Sequence, residues 1–201
     1  MLFIFQRGAE AELHRERYLG MEALAKERIE KRYRNRALDE KIRKRRTKEE
    51  CLLLSKAKEQ GVRTPVIYSI DMEGKRIVME FVRGERLKDS LNAGNVKLCR
   101  EVGRLVGKLH KAGIVHGDLT TSNIIVKDGK LVFVDFGLGS ISKRIEDFAT
   151  DLLVFKKTYS ATHFGLPEGW NLIQKGYMAE FGRGRAVFEK LGEIEKRARY
   201  M

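Results

Sequence analysis

Apolar residues fall into short runs between turn residues over the first eighty positions and at helical spacing over most of the remainder. Phe3 and Phe5 open a strand, and Arg7 to Glu12 follows as a turn. Leu13 to Lys26 supplies two further strands about a turn at Gly20, although Ala23-Leu24-Ala25-Lys26 has better helix than strand propensity. Leu38, Ile42, Leu52, Leu53, Leu54 and Ala57 predict a helix from Ala37 to Gln60, ended by Gly61. Beyond Thr64-Pro65, two strands flank a turn at Met72-Glu73-Gly74-Lys75, the second running from Arg76 to Val82 and ending at Arg83-Gly84. The rest is mostly helical. Leu87 to Leu91 is a short segment, and Asn95 caps a helix with Leu98, Val102, Leu105, Val106 and Leu109 on one face up to Gly113. Ile145, Phe148, Leu152, Leu153 and Phe155 mark another helix, followed by helical stretches over Pro167 to Phe181 and Arg185 to Arg197. Among these helices, Asn123 to Val134 predicts two apolar strands joined by Asp128-Gly129, a type I′ hairpin signal.

Composition narrows the classes. A chain of 201 residues with 42% hydrophobic content suits one compact domain or two small lobes and argues against disorder throughout. There are no repeats or low-complexity linkers. Lys+Arg 41 against Asp+Glu 28 leaves +13, which points to a polyanionic partner. The competing reading is a heavily solvated surface of the thermophile kind, since 34% of residues are charged. Lys26 to Lys48 alone carries twelve Lys/Arg against four Asp/Glu, suited to phosphate contacts, but only Tyr33 accompanies it for base stacking. Cys51 and Cys99 lie far apart without a Cys-x-x-Cys pair, so buried free thiols are expected rather than a zinc site or disulfide. Met1-Leu-Phe-Ile-Phe is too short for a signal peptide or membrane span. A cytoplasmic protein without membrane attachment is expected.

The chemistry concentrates between His116 and Gly137. ATP arrives with Mg²⁺, and its γ-phosphoryl must be held in line with an attacking oxygen while charge is neutralised. Asp118 and Asn123 sit five residues apart on one loop, so the carboxylate can face an incoming hydroxyl or water while the amide oxygen turns to a metal. The hairpin returns Asp135 beside Asn123, closing the metal site. Each piece taken singly also occurs in ordinary turns; their order, with a hairpin between, is what carries the reading.

His116-Gly117-Asp118-Leu119 with Asn123, followed by Asp135-Phe136-Gly137, resembles the catalytic loop and metal-binding motif of the protein-kinase superfamily. That resemblance implies an α+β, two-lobed fold: a strand-rich N-lobe with one long helix over 1–82, and a reduced, mostly helical C-lobe with a basic tail over 83–201. It implies that Lys26, ending an apolar strand, contacts the α- and β-phosphates, with Lys31 as a competitor. Gly8 would be what remains of a glycine-rich loop, though alone it reads as an ordinary hairpin turn. Glu50 would hold Lys26, but Thr47-x-x-Glu50 also reads as a capping box. Backbone groups near Glu80 and Val82 would meet the adenine edge and Met79 would line its pocket, where a plain edge hairpin is the other reading.

The motifs Lys26-x-Arg28-x-x-Lys31-x-Tyr33-Arg34, Leu38-Asp39, Arg46-Thr47-x-x-Glu50, Gly61-Val62-x-Thr64-Pro65 and Asp147-x-Ala149-x-Asp151-Leu152 narrow the resemblance. Together they are similar to the atypical kinase/ATPase subunit of the KEOPS complex in its stand-alone archaeal form. What this implies is ATP with Mg²⁺, Asp118 as proton acceptor, Asn123 and Asp135 on metal, and Asp151 receiving catalytic-loop amides. By residues alone, Asp151 reads equally as an exposed helix carboxylate. The implied partners are the other KEOPS subunits, chiefly the threonylcarbamoyl-transferase, and tRNA on the basic face. Arg197-Ala198-Arg199-Tyr200 is similar to the family's Arg-Gly-Arg ending, with Ala198 in place of Gly. Gly117 stands where many kinases have an Arg that grips a phosphorylated loop, and no Ala-Pro-Glu follows Gly137. Water or the protein itself is then the expected acceptor, giving an ATPase with Ser/Thr autokinase activity. The alternatives are a small-molecule phosphotransferase of the aminoglycoside-kinase type and an RNA-binding scaffold that holds nucleotide without turnover.

Overall fold

Strands β1 (Phe3–Arg7), β2 (Ala11–Tyr18) and β3 (Met21–Arg28) form consecutive hairpins that set up one end of the molecule. The structure, a computed structural model, describes residues 3–8 and 10–198; Met1, Ala9 of the first turn, and Arg199 and Tyr200 of the basic tail lie outside the described residues. After helix α1 (Arg36–Glu59), strands β4 (Ile67–Asp71) and β5 (Arg76–Glu80) complete a five-stranded antiparallel sheet in the order β1-β2-β3-β5-β4. The β2–β3 turn places Leu19 and Gly20 at φ 48° and 81°, the double left-handed geometry of a tight hairpin. The helix propensity of Ala23 to Lys26 gives way to position: β3 is paired on both sides, Ala25 opposite His14 and Val78. Ala23 and Ala25 are fully buried against Val78, Tyr18 and Tyr68. Leu24, Lys26 and Arg28 therefore share the opposite face, where Leu24 packs with Ile77, Met79 and Cys51 of α1.

Asn35 starts α1, its Oδ1 accepting from the amides of Ala37 and Leu38 at 3.0 and 3.4 Å. Gly61, at φ 72°, follows its end, as the pattern predicts. Thr47 lies inside this continuous helix with its hydroxyl on the Arg43 carbonyl, so the capping-box reading of Thr47 and Glu50 is wrong: no helix begins there.

A second sheet has the order β6-β8-β9, from Glu85–Arg86, Ile124–Lys127 and Lys130–Phe133, while β7 (Ile114–Val115) pairs with β10 (Ser140–Ile141). Asp128 and Gly129 have φ 51° and 70°, the expected type I′ turn. The helices are α2 (Leu87–Ser90), α3 (Leu98–Lys111), α4 (Ile145–Thr162), α5 (Pro167–Glu180) and α6 (Gly184–Ala198). Asn95 does not cap α3. Its side chain accepts from the Asn92 amide and donates to the Ser90 carbonyl at 2.8 and 2.9 Å, closing the preceding loop instead. Gly103 of α3 and Gly176 of α5 let the two backbones touch, because a Cβ at either would be driven into the carbonyl of Ile173 or Arg100. One core joins Leu53, Leu54 and Ala57 of α1 to Leu109 of α3, Phe136, and Phe148 and Phe155 of α4. The architecture is thus α+β, strand-rich with one long helix at first and mostly helical afterwards. Both cysteines are buried, and burial pushes the Cys51 thiol up to about 11. No helix of the described residues is long and apolar enough to cross a membrane.

Candidate active site

Two adjoining cavities lie between the first sheet and the segments that flank the β8–β9 hairpin, Asp118 and Asn123 before it and Asp135 after it. The first, of about 310 Å³, is walled by Leu13, Leu24, Met79, Val82 and Ile125, with Lys26, Glu50, Asn123 and Asp135 also on its lining. The second, of about 300 Å³, is lined by Gly8, Arg28, Asp118 and Gly137 and shares Lys26 and Asp135 with the first. An apolar chamber therefore opens into a charged one.

Lys26 projects from the central strand beneath this opening. Its Nζ donates to Glu50 Oε1 and to Asp135 Oδ1, both at 2.6 Å, with the Lys26 and Glu50 side chains only 8% and 1% exposed. Burial would drive the ammonium pKa down, but the two carboxylates outweigh it and hold it above its ordinary value. Asp135 is likewise pushed up by burial and brought below its ordinary value by the charge and hydrogen bond of Lys26. Its backbone is left-handed, φ 62°, and the Gly137 amide donates to its Oδ1 at 3.2 Å. Lys31, the competing lysine, follows the end of β3, where its carbonyl accepts from the Arg34 amide.

Asn123 reaches back along its own loop. Its Nδ2 donates to the Asp118 carbonyl and to Asp118 Oδ2, both at 2.9 Å. The loop is fixed from behind by Asp151, which is 3% exposed and so is not the exposed helix carboxylate of the alternative reading. Asp151 accepts from the amides of His116 and Gly117, both at 2.9 Å, and faces His110 Nε2 at 3.1 Å. His116 in turn meets the Val134 carbonyl at 3.1 Å through Nε2 and packs on Phe136 with ring centroids 4.5 Å apart.

At the apolar end Met79 and Val82 line the first cavity. The Glu80 amide donates to Val66 O at 2.7 Å, and its carboxylate meets Lys127 at 2.8 Å. Gly8 lies on the rim of the charged chamber, its amide closing the turn onto Ala11 O at 2.9 Å. Sequence reasoning assigned no role to Arg28 or His110. Period-two alternation with Lys26 was the available signal for Arg28; His110 sits on the apolar face of α3 and gave none.

This buried network sets an acid sensitivity. Burial lowers the pKa of His116 despite the pull of Asp151, and lowers that of His163. Burial would raise Asp151, but the hydrogen bond and charge of His110 outweigh it and leave it lowered. All three groups bind fewer protons folded than unfolded, so the stability they contribute is present above their unfolded pKa values and lost as pH falls through the folded ones. The first loss begins below 6.5, the ordinary histidine value, and the second below 3.8, that of aspartate. The urea midpoint should be lower near pH ~5 than near pH ~7.5; equal midpoints would contradict this account.

Residues 12–144 match the RIO domain. The KEOPS complex subunit Bud32 of Pyrococcus abyssi is 43% identical across 98% of this chain and 96% of its own length. A probable bifunctional tRNA threonylcarbamoyladenosine biosynthesis protein of Methanococcus maripaludis is 44% identical across 97% of this chain, which spans 36% of that relative's length. Among solved structures, the Rio2 kinase–ADP/Mg²⁺–phosphoaspartate complex from Chaetomium thermophilum superposes with a TM-score of 0.69 at 15% identity, covering 98% of this chain and 70% of that one. WaaP in complex with acyl carrier protein gives 0.67 at 18% identity, covering 98% and 87%. At such identities the two structures share the fold alone, which is the kinase-like fold the motifs imply. The chain belongs to the RIO-domain family and, within it, to the Bud32 group of atypical protein kinase-like proteins.

Proposed function

We propose that this chain is a Mg²⁺-dependent ATPase with Ser/Thr autokinase activity that serves threonylcarbamoyl-adenosine formation on tRNA as a KEOPS subunit. The observation that carries the reading is the meeting of Lys26, Asp135 and the Asp118–Asn123 pair around one apolar and one charged chamber. The nucleotide lies between residues 1–82 and 83–201, a division supported by the end of the first sheet at Glu80.

The adenine fits between Leu13, Leu24, Met79, Val82 and Ile125. Because the Glu80 amide is engaged with Val66, the base meets the Glu80 carbonyl and the Val82 amide. Lys26, held by Glu50, takes the α- and β-phosphates. Gly8 contributes space for the phosphates rather than its amide, which is engaged with Ala11. The Asp135 carboxylate and Asn123 amide oxygen are hard donors that suit Mg²⁺. When bound, Mg²⁺ neutralises charge on the transferring phosphoryl group. Asp118, oriented through Asn123 Nδ2, takes the proton of the attacking water or Ser/Thr hydroxyl. The oxygen–phosphorus bond forms as the β–γ bridge breaks, and ADP leaves. The test is phosphate release from ATP with and without Mg²⁺, alone and with the transferase subunit. Clear turnover supports the reading, and nucleotide binding without turnover in every condition overturns it in favour of a scaffold.

The transferase subunit and tRNA are the proposed partners, in the cytoplasm, with tRNA on the basic segment at the start of α1. Arg43 and Lys44 are poor probes of that face, because Arg43 holds buried Asp39 at 2.7 Å and Lys44 meets Glu73 at 2.9 Å. Arg32, Arg36 and Lys41 are exposed. Reversing all three charges should weaken tRNA binding and flatten its salt dependence, by about 0.7–0.9 in log–log slope for each phosphate no longer neutralised. An unchanged slope would remove tRNA from this face, and parallel loss of ATP turnover would argue against separate surfaces.

A further inference from the structure

Glu50 serves two cations. Its Oε1 accepts from Lys26 and its Oε2 from Arg28 Nη2, each at 2.6 Å. The Arg28 side chain is 3% exposed, and Nη2 also donates to the Arg46 carbonyl at 3.3 Å. Its Nε is a buried donor without a partner, where buried donors are ordinarily satisfied. Arg28 also lines the charged chamber with Asp118 and Gly137. A Cβ on Gly137 would stand 3.2 Å from Arg28 Nη2, 3.2 Å from Lys26 Nζ and 3.0 Å from Asp135 Oδ1. Two cations and a carboxylate therefore converge on a spot that Gly137 leaves open.

A structural clamp on α1 would be complete with the Glu50 and Arg46 contacts. It would not call for Arg28 to line the same chamber as Asp118, nor for two buried cations sharing one carboxylate. An arginine in that position presents a planar fork of donors matched to phosphate oxygens. We propose that Arg28 is a second phosphate-binding cation of the cleft, contacting the terminal phosphate of a nucleoside triphosphate from beside Lys26. The inference rests on the nucleotide-cleft reading above. It adds discrimination: Lys26 serves phosphates present in both ATP and ADP, whereas Arg28 serves the one that only ATP carries.

The experiment is calorimetric titration of the full chain, wild type, Arg28→Gln and Arg28→Lys, with Mg-ATP and separately with Mg-ADP. Arg28→Gln should lower ATP affinity on the order of tenfold or more and ADP affinity by less than about twofold, the loss of one charge-assisted hydrogen bond. Arg28→Lys, with charge but no fork, should fall between. Equal losses for both nucleotides would mean that Arg28 acts only by holding Glu50 and Lys26, and no loss would mean that it touches neither phosphate; either overturns the inference. If thermal melting shows the glutamine variant unfolded, the lysine variant decides, an ATP-to-ADP preference equal to wild type being the overturning result. Wild-type protein that binds neither nucleotide would defeat the cleft reading and this inference with it.

Discussion

Asp118→Ala should lower Mg²⁺-dependent phosphate release from ATP by about 10²–10⁴-fold, the usual worth of a positioned general base, while leaving ATP binding nearly intact. The carboxylate is held at 2.9 Å by Asn123 Nδ2 on a loop whose amides Asp151 clamps from behind, so the substitution removes the proposed proton acceptor from an otherwise fixed frame. Asp135→Ala should lose at least as much turnover for a different reason: it removes an oxygen donor and one of the two partners of Lys26. Its binding signature separates the two variants, because Mg²⁺ should no longer strengthen nucleotide affinity. Single-turnover phosphate release read beside nucleotide titrations with and without Mg²⁺ makes the distinction. Retention of more than about a tenth of the turnover by either variant would refute its assigned role.

Glu50→Ala should be the most destabilising change in the cleft, by about 3–5 kcal/mol, the cost of breaking a buried charge pair by removing one partner. Glu50 is 1% exposed and answers two buried cations at once. Its removal leaves Arg28 with only the Arg46 carbonyl and Lys26 with only Asp135. Glu50→Gln keeps the shape and one acceptor oxygen and should lose less. Urea unfolding of the three proteins ranks them, and an alanine variant within about 1 kcal/mol of wild type would mean that the pair is solvated rather than buried.

The parts of the fold legible in the sequence were those set by local rules. The Asp128-Gly129 turn, the end of α1 at Gly61 and the apolar face of α3 each follow from residues within a turn or two. Where propensity or a short motif points the other way, the surrounding chain decides the matter. Ala23 to Lys26 is a strand because β2 and β5 flank it. Thr47 and Glu50 imitate a cap signal within a helix that Asn35 had already begun. Asn95 looked like a cap until Asn92 and Ser90 claimed its side chain. The candidate site divides in the same way. The loop motif and the aspartate after the hairpin stand out at short spacing, whereas the Glu50 contacts with Lys26 and Arg28 span 24 and 22 residues. The place of Asp151 beneath the loop likewise depends on packing of α4, which no local pattern encodes.

The single core that runs from α1 into the helices has a consequence for control. Swinging α1 outward, a way to separate a helix glutamate from its strand lysine, would expose Leu53, Leu54 and Ala57, which are 2%, 1% and 0% exposed. Uncovering the two leucines alone costs about 3–6 kcal/mol, which holds the displaced state below about 1% of molecules. The packing of α1, and not the cleft alone, thus keeps Glu50 beside Lys26.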